Sequence, residues 1–483
     1  MILLTHGYFI AEDEKEQQIM KPYPPLGLLY VSAYLKENGY ENTIFDSTFS
    51  SKEKLQNFLL EEQPKIVAFY TNIVTKLNVL SLIKFIRNKK KLQHTKIILG
   101  GPDLTYNIEN YLNAGAHFLV IGEGEQTMLE LVSVLYKNKS QEIRDKIQEG
   151  QILQNSKLYD FVALQKIDGI AFRKNEETIQ TPARQKLKDL SELPLPNRAG
   201  IDLHKYLEVW KDRHGKNTIS VSTQRGCPYT CKWCSTAVYG QSYRRRPAKK
   251  VVEELQILQK EYNPDSIWFV DDVFSVSHKW IREFHAEVIQ KNIIIPFECI
   301  TRAERLNDEI LQLLKEAGCF RIWIGAESGS QRIIDKMDRR VDVNVVRETI
   351  QKANKIGIET GTFIMVGYPS ETESDIYETI HHLKIANPSQ FTITVAYPIK
   401  GTSLYTETEQ DFTKQLNWNT STDRDIDFKR KYSRKYYDYA VRKIVNEVNY
   451  HKEISKTKDK NLTKAIKLKT KSILAGVLMK ISK

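Results

Sequence analysis

The sequence predicts an α/β chain: an N-terminal doubly wound parallel sheet, then a partial (β/α)6 barrel, then a helical tail. Three observations carry this. Short apolar runs alternate with helix-length stretches over residues 1–140. The alternation resumes over 218–410 with six strand candidates. In both arrays the strands run into loops rich in glycine or charge, where such folds place their ligands.

In the first array the expected strands are Ile2–Thr5, Thr43–Phe45, Ile66–Tyr70, Lys96–Leu99 and Phe118–Ile121. Between them lie helices over Leu26–Asn38, Lys52–Leu60, Val79–Asn88, Ile108–Ala114 and Gln126–Leu135. Gly7, Gly100–Gly101 and Gly122–Gly124 follow strands, where glycine permits close backbone approach to a ligand. None of these loops is a G-x-G-x-x-G, so a dinucleotide is not favoured. Residues 141–217 read as a connector, with a hairpin over Lys166–Arg173 and Glu177–Pro182. The barrel strands are Thr218–Thr223, Ser266–Val270, Phe297–Thr301, Phe320–Ile324, Gly361–Val366 and Phe391–Val395. Helices such as Lys249–Glu261 and Asp308–Glu316 fall between them. Residues 411–483 form the tail. Within it Leu462, Ile466, Ile473, Val477 and Ile481 recur at near-helical spacing, with Lys460, Lys464, Lys467 and Lys471 on another face.

Of the 483 residues, 41% are hydrophobic and 27% charged, a globular composition, and no apolar run approaches the ~18 residues of a membrane span. The N-terminus, MILLTHGYFIAEDE, lacks a basic segment before its apolar residues and reads as a buried strand rather than a signal peptide. The net charge of +12 is concentrated: Lys429–Lys483 holds 17 basic and 4 acidic residues, a net of +13, leaving residues 1–428 at −1. A lysine-rich solvated helix explains such a tail better than nucleic acid does. It is also the pattern of a helix that lies on an anionic membrane. A cytoplasmic location, with peripheral contact at the inner face of the membrane, is the expectation.

Five cysteines are present, and none precedes Cys227. Cys299 and Cys319 are isolated and read as small buried hydrophobes. Cys227, Cys231 and Cys234 form C-x-x-x-C-x-x-C in the loop after the first barrel strand. Thiolates at this spacing can wrap one 4Fe–4S cube and leave one iron open. A zinc knuckle would need a fourth Cys or His nearby, and none lies between Ala237 and His278.

This motif, with Trp233 just before its last cysteine, resembles the radical S-adenosylmethionine superfamily. The strand ends match in order: Asp271-Asp272, Arg302 in Thr301-Arg-Ala-Glu304, Glu327-Ser328 in Gly325-Ala-Glu-Ser-Gly-Ser330, Gly367-Tyr-Pro, and Tyr397-Pro398. The resemblance implies that the open iron chelates S-adenosylmethionine and that Trp233 lies near its adenine. It further implies that Asp271 and Asp272 lie near the methionine end or the substrate, that Arg302 neutralises the methionine carboxylate, and that Glu327 accepts from the ribose. Ser328 and Gly367 join the cofactor-binding set. Each charge has a structural alternative, a salt bridge or a cap.

Residues 1–140 resemble the cobalamin-binding domain that precedes the barrel in one large subfamily. That subfamily includes the anaerobic magnesium-protoporphyrin monomethyl ester cyclase and cobalamin-dependent radical methylases. The matching stretches are Tyr23-Pro-Pro-Leu-Gly27-Leu28, Gly100-Gly-Pro-Asp103 and Gly122-Glu-Gly-Glu-Gln-Thr127. The resemblance assigns cobalamin to the loops of Gly7, Gly100, Gly101, Gly122 and Gly124. It departs at one point: D-x-H-x-x-G, whose His ligates cobalt in many cobalamin proteins, is absent, and His6 does not fit it.

The implied activity is reductive cleavage of S-adenosylmethionine to a 5′-deoxyadenosyl radical. C-methylation or oxidative cyclisation of a small, hydrophobic substrate follows, with flavodoxin or ferredoxin as electron donor and no nucleic-acid partner. The alternatives are a cobalamin-free radical enzyme and a non-catalytic cofactor-binding protein. A tRNA methylthiotransferase is disfavoured, because its second cluster needs cysteines upstream of Cys227.

Overall fold

The computed structural model describes residues 1–149, 161–235, 240–456 and 460–483. The chain divides into two compact units. The first is built from Met1–Asn217 with Asn417–Thr422, the second from Thr218–Ser235, Gln241–Leu416 and Asp423–Lys483.

The first unit holds a seven-stranded sheet of β1 (Ile2–His6), β2 (Asn42–Phe45), β3 (Ile66–Tyr70), β4 (Lys96–Gly100), β5 (Phe118–Val120), β6 (Ile170–Lys174) and β7 (Glu177–Gln180). Their spatial order is β2-β1-β3-β4-β5-β6-β7. The first five strands pair in parallel, and the β6–β7 hairpin extends the sheet antiparallel from β5. Each parallel strand is apolar on both faces, as a strand covered from both sides must be. Leu3, Val67, Phe69, Ile97 and Leu99 pack with Leu82, Ile83 and Ile86 of the helix Lys76–Asn88. Ile2, Leu4, Ala68, Ile98 and Val120 pack with Leu28, Leu35, Met128 and Leu131 of the helices Leu26–Glu37 and Gly124–Glu149. The expected hairpin forms, about a two-residue turn in which Asn175 and Glu176 both take positive φ, as a tight hairpin turn requires. It belongs to the sheet rather than to a free connector.

In the second unit β8 (Thr218–Val221) is followed by two short paired strands, β9 (Gln224–Arg225) and β10 (Arg244–Arg245). Then come β11 (Ser266–Phe269), β12 (Phe297–Thr301), β13 (Cys319–Glu327), β14 (Glu359–Val366) and β15 (Gln390–Val395). The six-stranded sheet runs β15-β14-β13-β12-β11-β8, parallel throughout. Its outer face is buried under helices: Phe269 and Phe297 pack with Phe274, Trp280 and Phe284. Cys299 and Cys319 are fully buried, as small hydrophobes are. The register places Trp268, Glu298, Ile300, Arg321, Trp323 and Phe363 on the other, concave face, where all but Glu298 stay half-buried. Trp323 stacks on Phe363 at 5.2 Å and donates its indole N–H to Glu298. Gly361 makes room for that stack, since a Cβ there would lie 2.3 Å from the Trp323 ring.

The tail has more than one destination. Trp418 packs edge-on against Tyr111 in the first unit, with Lys76 over its ring. In the second unit the helices Arg434–Ile454 and Leu462–Ile481 form a hairpin, and the first of them packs on the helix Glu373–Ala386. Glu447 joins all three by accepting from Lys384, Lys469 and Ser472. Burial of its carboxyl is outweighed by those donors, which hold it at about 2. The last helix turns small residues inward: Ala465, Ser472, Ala475, Gly476 and Met479 are buried, and the expected apolar series from Leu462 to Ile481 faces out.

Candidate active site

In the second unit the cysteine loop leaves the carboxyl end of β8 through Gly226. Gly226 has a φ of +82°, and a Cβ there would lie 2.5 Å from the Ser242 carbonyl oxygen. Glycine is therefore needed both for the turn and for the close approach of the returning strand. Cys227 is buried, Cys231 half-buried and Cys234 the most accessible of the three. The Cys234 N–H donates to the Cys231 carbonyl, which closes the loop. Burial raises the Cys227 thiol. Although part of Cys234 meets solvent, the protein crowding its thiol pushes it up to about 12, with Asp272 adding to the effect. Trp233 packs against Ile333, Met337, Tyr368 and Leu404. It anchors the loop through its ring, whatever else that ring touches.

The two neighbouring aspartates have different surroundings. Asp271 is buried and accepts from the Thr223 N–H at 2.7 Å, the Gln224 N–H at 3.1 Å and the Thr223 hydroxyl, with Arg245 at 3.6 Å. It thus clamps the turn that launches the cysteine loop. Arg245 lies under it, stacked 3.5 Å from the Trp280 ring centroid. Asp272 is the one that reaches solvent. Desolvation by the cleft walls, then the charge of Asp271, raises its carboxyl above the usual range.

Arg302 is buried and fully used. It places Nη1 3.5 Å from the Cys231 sulfur, lies 3.8 Å above the Tyr229 ring, pairs with Glu304 and donates to the Arg339 carbonyl. Arg339 in turn donates to the Gly325 carbonyl at 2.8 Å. The ends of β12 and β13 are therefore tied to each other and to the cysteine loop. Glu327 lies past an irregularity in the β13–β14 register, with a φ of +66°. Burial pushes its carboxyl up to about 7 against the pull of Arg339 and Arg302. Ser328 is turned inward, accepting from the Ser330 N–H. Gly367, at φ +77°, donates its N–H to Glu371 and gives its carbonyl to Arg430.

In the first unit a cleft opens at the carboxyl ends of the strands, with about 800 Å³ of empty space in and above it, open solvent included. Leu4, Ala68, Ile98, Val120 and Met128 make its apolar wall, and Gly27, Gly100, Gly101, Gly122 and Gly124 its rim. A Cβ on Gly100 or Gly122 would meet nothing within 4 Å, so both present open backbone. Gly101 is required for another reason: its φ is +120°, and a Cβ would fall 2.1 Å from the Thr71 carbonyl oxygen. Gly7 does not line this cleft. It is packed against the helix Lys76–Asn88, where a Cβ would meet Val79 at 3.0 Å, and Asn78 donates to its carbonyl. Its glycine serves helix packing, and it lies outside the residues that line this cleft. His6 is buried, with both ring nitrogens engaged by Asp46 and by the Tyr8 and Ser47 N–H groups. It is not available to a metal.

Sequence reasoning missed Arg245, Arg339 and Arg430, and it placed Glu371 at the end of the fifth barrel strand without assigning it a role. The run Arg244-Arg245-Arg246 just after the cysteines was a visible signal for the first. Arg339 and Arg430 lie in no motif that their neighbours reveal.

These features define a class: an α/β protein with a three-thiol loop at a strand end of one unit and a glycine-rimmed apolar cleft in the other. The comparisons agree. The Radical SAM superfamily pattern matches residues 221–383 and the B12 binding domain pattern residues 18–132. An uncharacterized methyltransferase of Pyrococcus horikoshii is 26% identical over 418 residues, which cover 85% of this chain and 84% of that protein. The anaerobic magnesium-protoporphyrin IX monomethyl ester cyclase of Rubrivivax gelatinosus is also 26% identical, over 77% of this chain and 64% of its own length. Among solved structures, the radical S-adenosylmethionine methyltransferase TsrM of Kitasatospora setae, with cobalamin and a [4Fe-4S] cluster bound, matches with a TM-score of 0.65 and 16% identity. That match covers 85% of this chain and 78% of that one and shows a shared fold.

The chain is a radical S-adenosylmethionine enzyme that carries a B12-binding domain. Its cofactors are a 4Fe–4S cluster, S-adenosylmethionine and cobalamin. The donors present suit them. Three thiols on one loop are the soft anionic set that an iron–sulfur cube takes. Among the described residues no group of three or more His, Cys, Asp or Glu side chains, the three cysteines included, is gathered closely enough to hold a metal as it stands. The cleft in the first unit offers apolar walls and bare glycine backbone to a large ring-bearing cofactor.

Proposed function

We propose that this enzyme C-methylates a hydrophobic small molecule. The observation that carries the reading is that one chain holds both the three-thiol loop and the glycine-rimmed cleft, in a protein similar to methyltransferases. When bound, the cluster supplies the electron that cleaves S-adenosylmethionine, and cobalamin supplies a methyl carrier. The residues of the chain do the rest. Cys227, Cys231 and Cys234 would hold the cluster through three irons, leaving one open to S-adenosylmethionine. Arg302, held beside Cys231, gives its methionine end a fixed positive charge. Asp272 is the accessible carboxylate at the same mouth. Glu327, free of hydrogen bonds from the described residues, accepts from ribose hydroxyls. Trp268, Ile300, Trp323 and Phe363 give the substrate an apolar wall. Because His6 is committed to Asp46, cobalt has no ligand from that position. The reducing equivalent comes from a small redox protein such as flavodoxin or ferredoxin.

Oxidative cyclisation is the second reading, favoured by the similarity to the cyclase. Anaerobic turnover with methyl-deuterated S-adenosylmethionine and candidate hydrophobic substrates separates the two. A labelled methyl group in the product supports methylation, and loss of two hydrogens without label supports cyclisation. Reconstituted protein that retains no cobalamin would sink the methylation reading.

A further inference from the structure

The last helix, Leu462–Ile481, is amphipathic in an unusual direction. Its buried face is made of small residues, Ala465, Ser472, Ala475 and Gly476 with Met479, and these seat it on the helix Arg434–Ile454. Its large apolar residues point away from the protein. Leu462 is 70% exposed, Ile466 67%, Ile473 57%, Leu474 58%, Val477 50% and Ile481 76%. At 100° per residue they fall within one third of the helix circumference, so they form a single stripe rather than scattered positions. The helix does not need this stripe to stay folded. Beyond its small-residue face, it is fixed by Lys469 and Ser472 on Glu447, by Lys464 on Glu453 and by Lys483 on Glu373.

The borders of the stripe are basic. Lys467 and Lys471 follow one edge and Lys480 begins the other, and all three are exposed. Among the described residues none of the three pairs with a carboxylate, whereas Lys464, Lys469 and Lys483 are drawn back to the protein. No acidic residue lies between Asn461 and Lys483. No helix of the described residues is long and apolar enough to cross a membrane, so a stripe of this kind lies along a surface. Apolar side chains flanked on both sides by unpaired lysines complement one environment above others: the acyl boundary of a bilayer beneath anionic headgroups.

We propose that the helix Leu462–Ile481 is a membrane-surface docking element, with Leu462, Ile466, Ile473, Val477 and Ile481 entering an anionic bilayer and Lys467, Lys471 and Lys480 pairing with its headgroups. A second copy of this chain fits the stripe less well. A symmetric helix–helix contact along it would bring the bordering lysines of both copies together with no acid to receive them. The proposal stands independently of the reaction assigned above.

Co-sedimentation of the full-length reconstituted enzyme with vesicles tests it, using phosphatidylglycerol mixed with phosphatidylcholine against phosphatidylcholine alone. The expected result is binding to the anionic vesicles at low salt, weaker by about tenfold or more on the neutral ones and released as salt rises. Two variants read the two halves of the interaction. Ile466→Ser/Ile473→Ser/Val477→Ser changes only exposed side chains and should abolish binding at any salt. Lys467→Gln/Lys471→Gln/Lys480→Gln should remove the preference for anionic lipid. S-adenosylmethionine cleavage in solution should be unchanged in both, which shows that the fold survives. Equal pelleting of the wild type and the serine variant would overturn the proposal, as would failure of the wild type to bind anionic vesicles. A wild type that sediments as a dimer while the serine variant sediments as a monomer would assign the stripe to a second copy and overturn it too.

Discussion

Both units are built on α/β sheets, parallel but for the β6–β7 hairpin of the first, yet they leave different surfaces for a ligand. In the first, helices cover both faces, so the open surface lies at the carboxyl ends of the strands, in an apolar cleft with bare glycine backbone at its rim. In the second, helices bury one face only. The concave face keeps half-buried Trp268, Trp323 and Phe363, and the strand ends carry charge. The first unit offers shape and the second offers charge and thiols. A glycine-rimmed cleft therefore responds to added volume, whereas the cysteine mouth responds to loss of individual groups.

The largest effect expected from that contrast is in the thiols. Cys227→Ala, Cys231→Ala or Cys234→Ala should each abolish bound iron and the formation of 5′-deoxyadenosine while cobalamin is still retained. Iron analysis, cobalamin content and product chromatography check this, and cleavage persisting in any one variant would refute the assignment. The reverse experiment is Gly100→Leu. Its backbone is unstrained and its Cβ meets nothing within 4 Å, so the added side chain fills the cleft without disturbing the sheet. Cobalamin affinity should fall at least about tenfold, with the cluster intact. Gly101→Ala is a poor substitute, because it strains the fold at φ +120° whether or not a ligand binds.

A smaller effect is expected inside the second sheet. Gly361→Ala drives a methyl into the Trp323 ring and should cost about 1–3 kcal/mol in denaturant unfolding. If it costs nothing, the Trp323–Phe363 stack is free to move and does not fix the concave wall. A further effect depends on pH. Glu371 is fully buried, and burial pushes its carboxyl up to about 8 against the Gly367 N–H that it accepts. Because its folded value lies above the unfolded value, its contribution is complete below about pH 4.5 and is lost as pH rises through 8. Glu371→Gln keeps the acceptor and removes the titration. The melting temperature of the wild type should therefore fall relative to the variant between those two pH values, and a constant difference would show that Glu371 does not titrate there.

Most of the architecture was legible because alternation and local chemistry encode it. Ile66–Tyr70 and Phe297–Thr301 were placed to the residue, and the other sheet strands within a few residues, since strands buried under helices read as short apolar runs between turn signals. The cysteine loop was legible because its three ligands are close in sequence. The polar network around it was not. Asp271 and Asp272 are adjacent, and nothing in the sequence says that one is consumed by Thr223, Gln224 and Arg245 while the other reaches solvent. Gly7 shows the same limit from the other side: a glycine after a strand signals close approach, but not whether a ligand or the Lys76–Asn88 helix approaches. In the last helix the periodicity was visible, but its direction was not. Only the packed structure shows that the small residues face in and the isoleucines face out.

Arg430 links distant stretches of the chain. It donates to the Gly367 carbonyl, 63 residues earlier, and to the Ala396 carbonyl, 34 residues earlier, while the Tyr437 hydroxyl reaches the Glu371 carbonyl. The ends of β14 and β15 are thus finished by a segment made long after them. On a ribosome the cysteine loop and all six barrel strands emerge before their last brace does. During that interval the Gly367 and Ala396 carbonyls lack the one guanidinium that bridges them, so a chain stalled before residue 430 would hold all six strands with the ends of β14 and β15 not yet tied together.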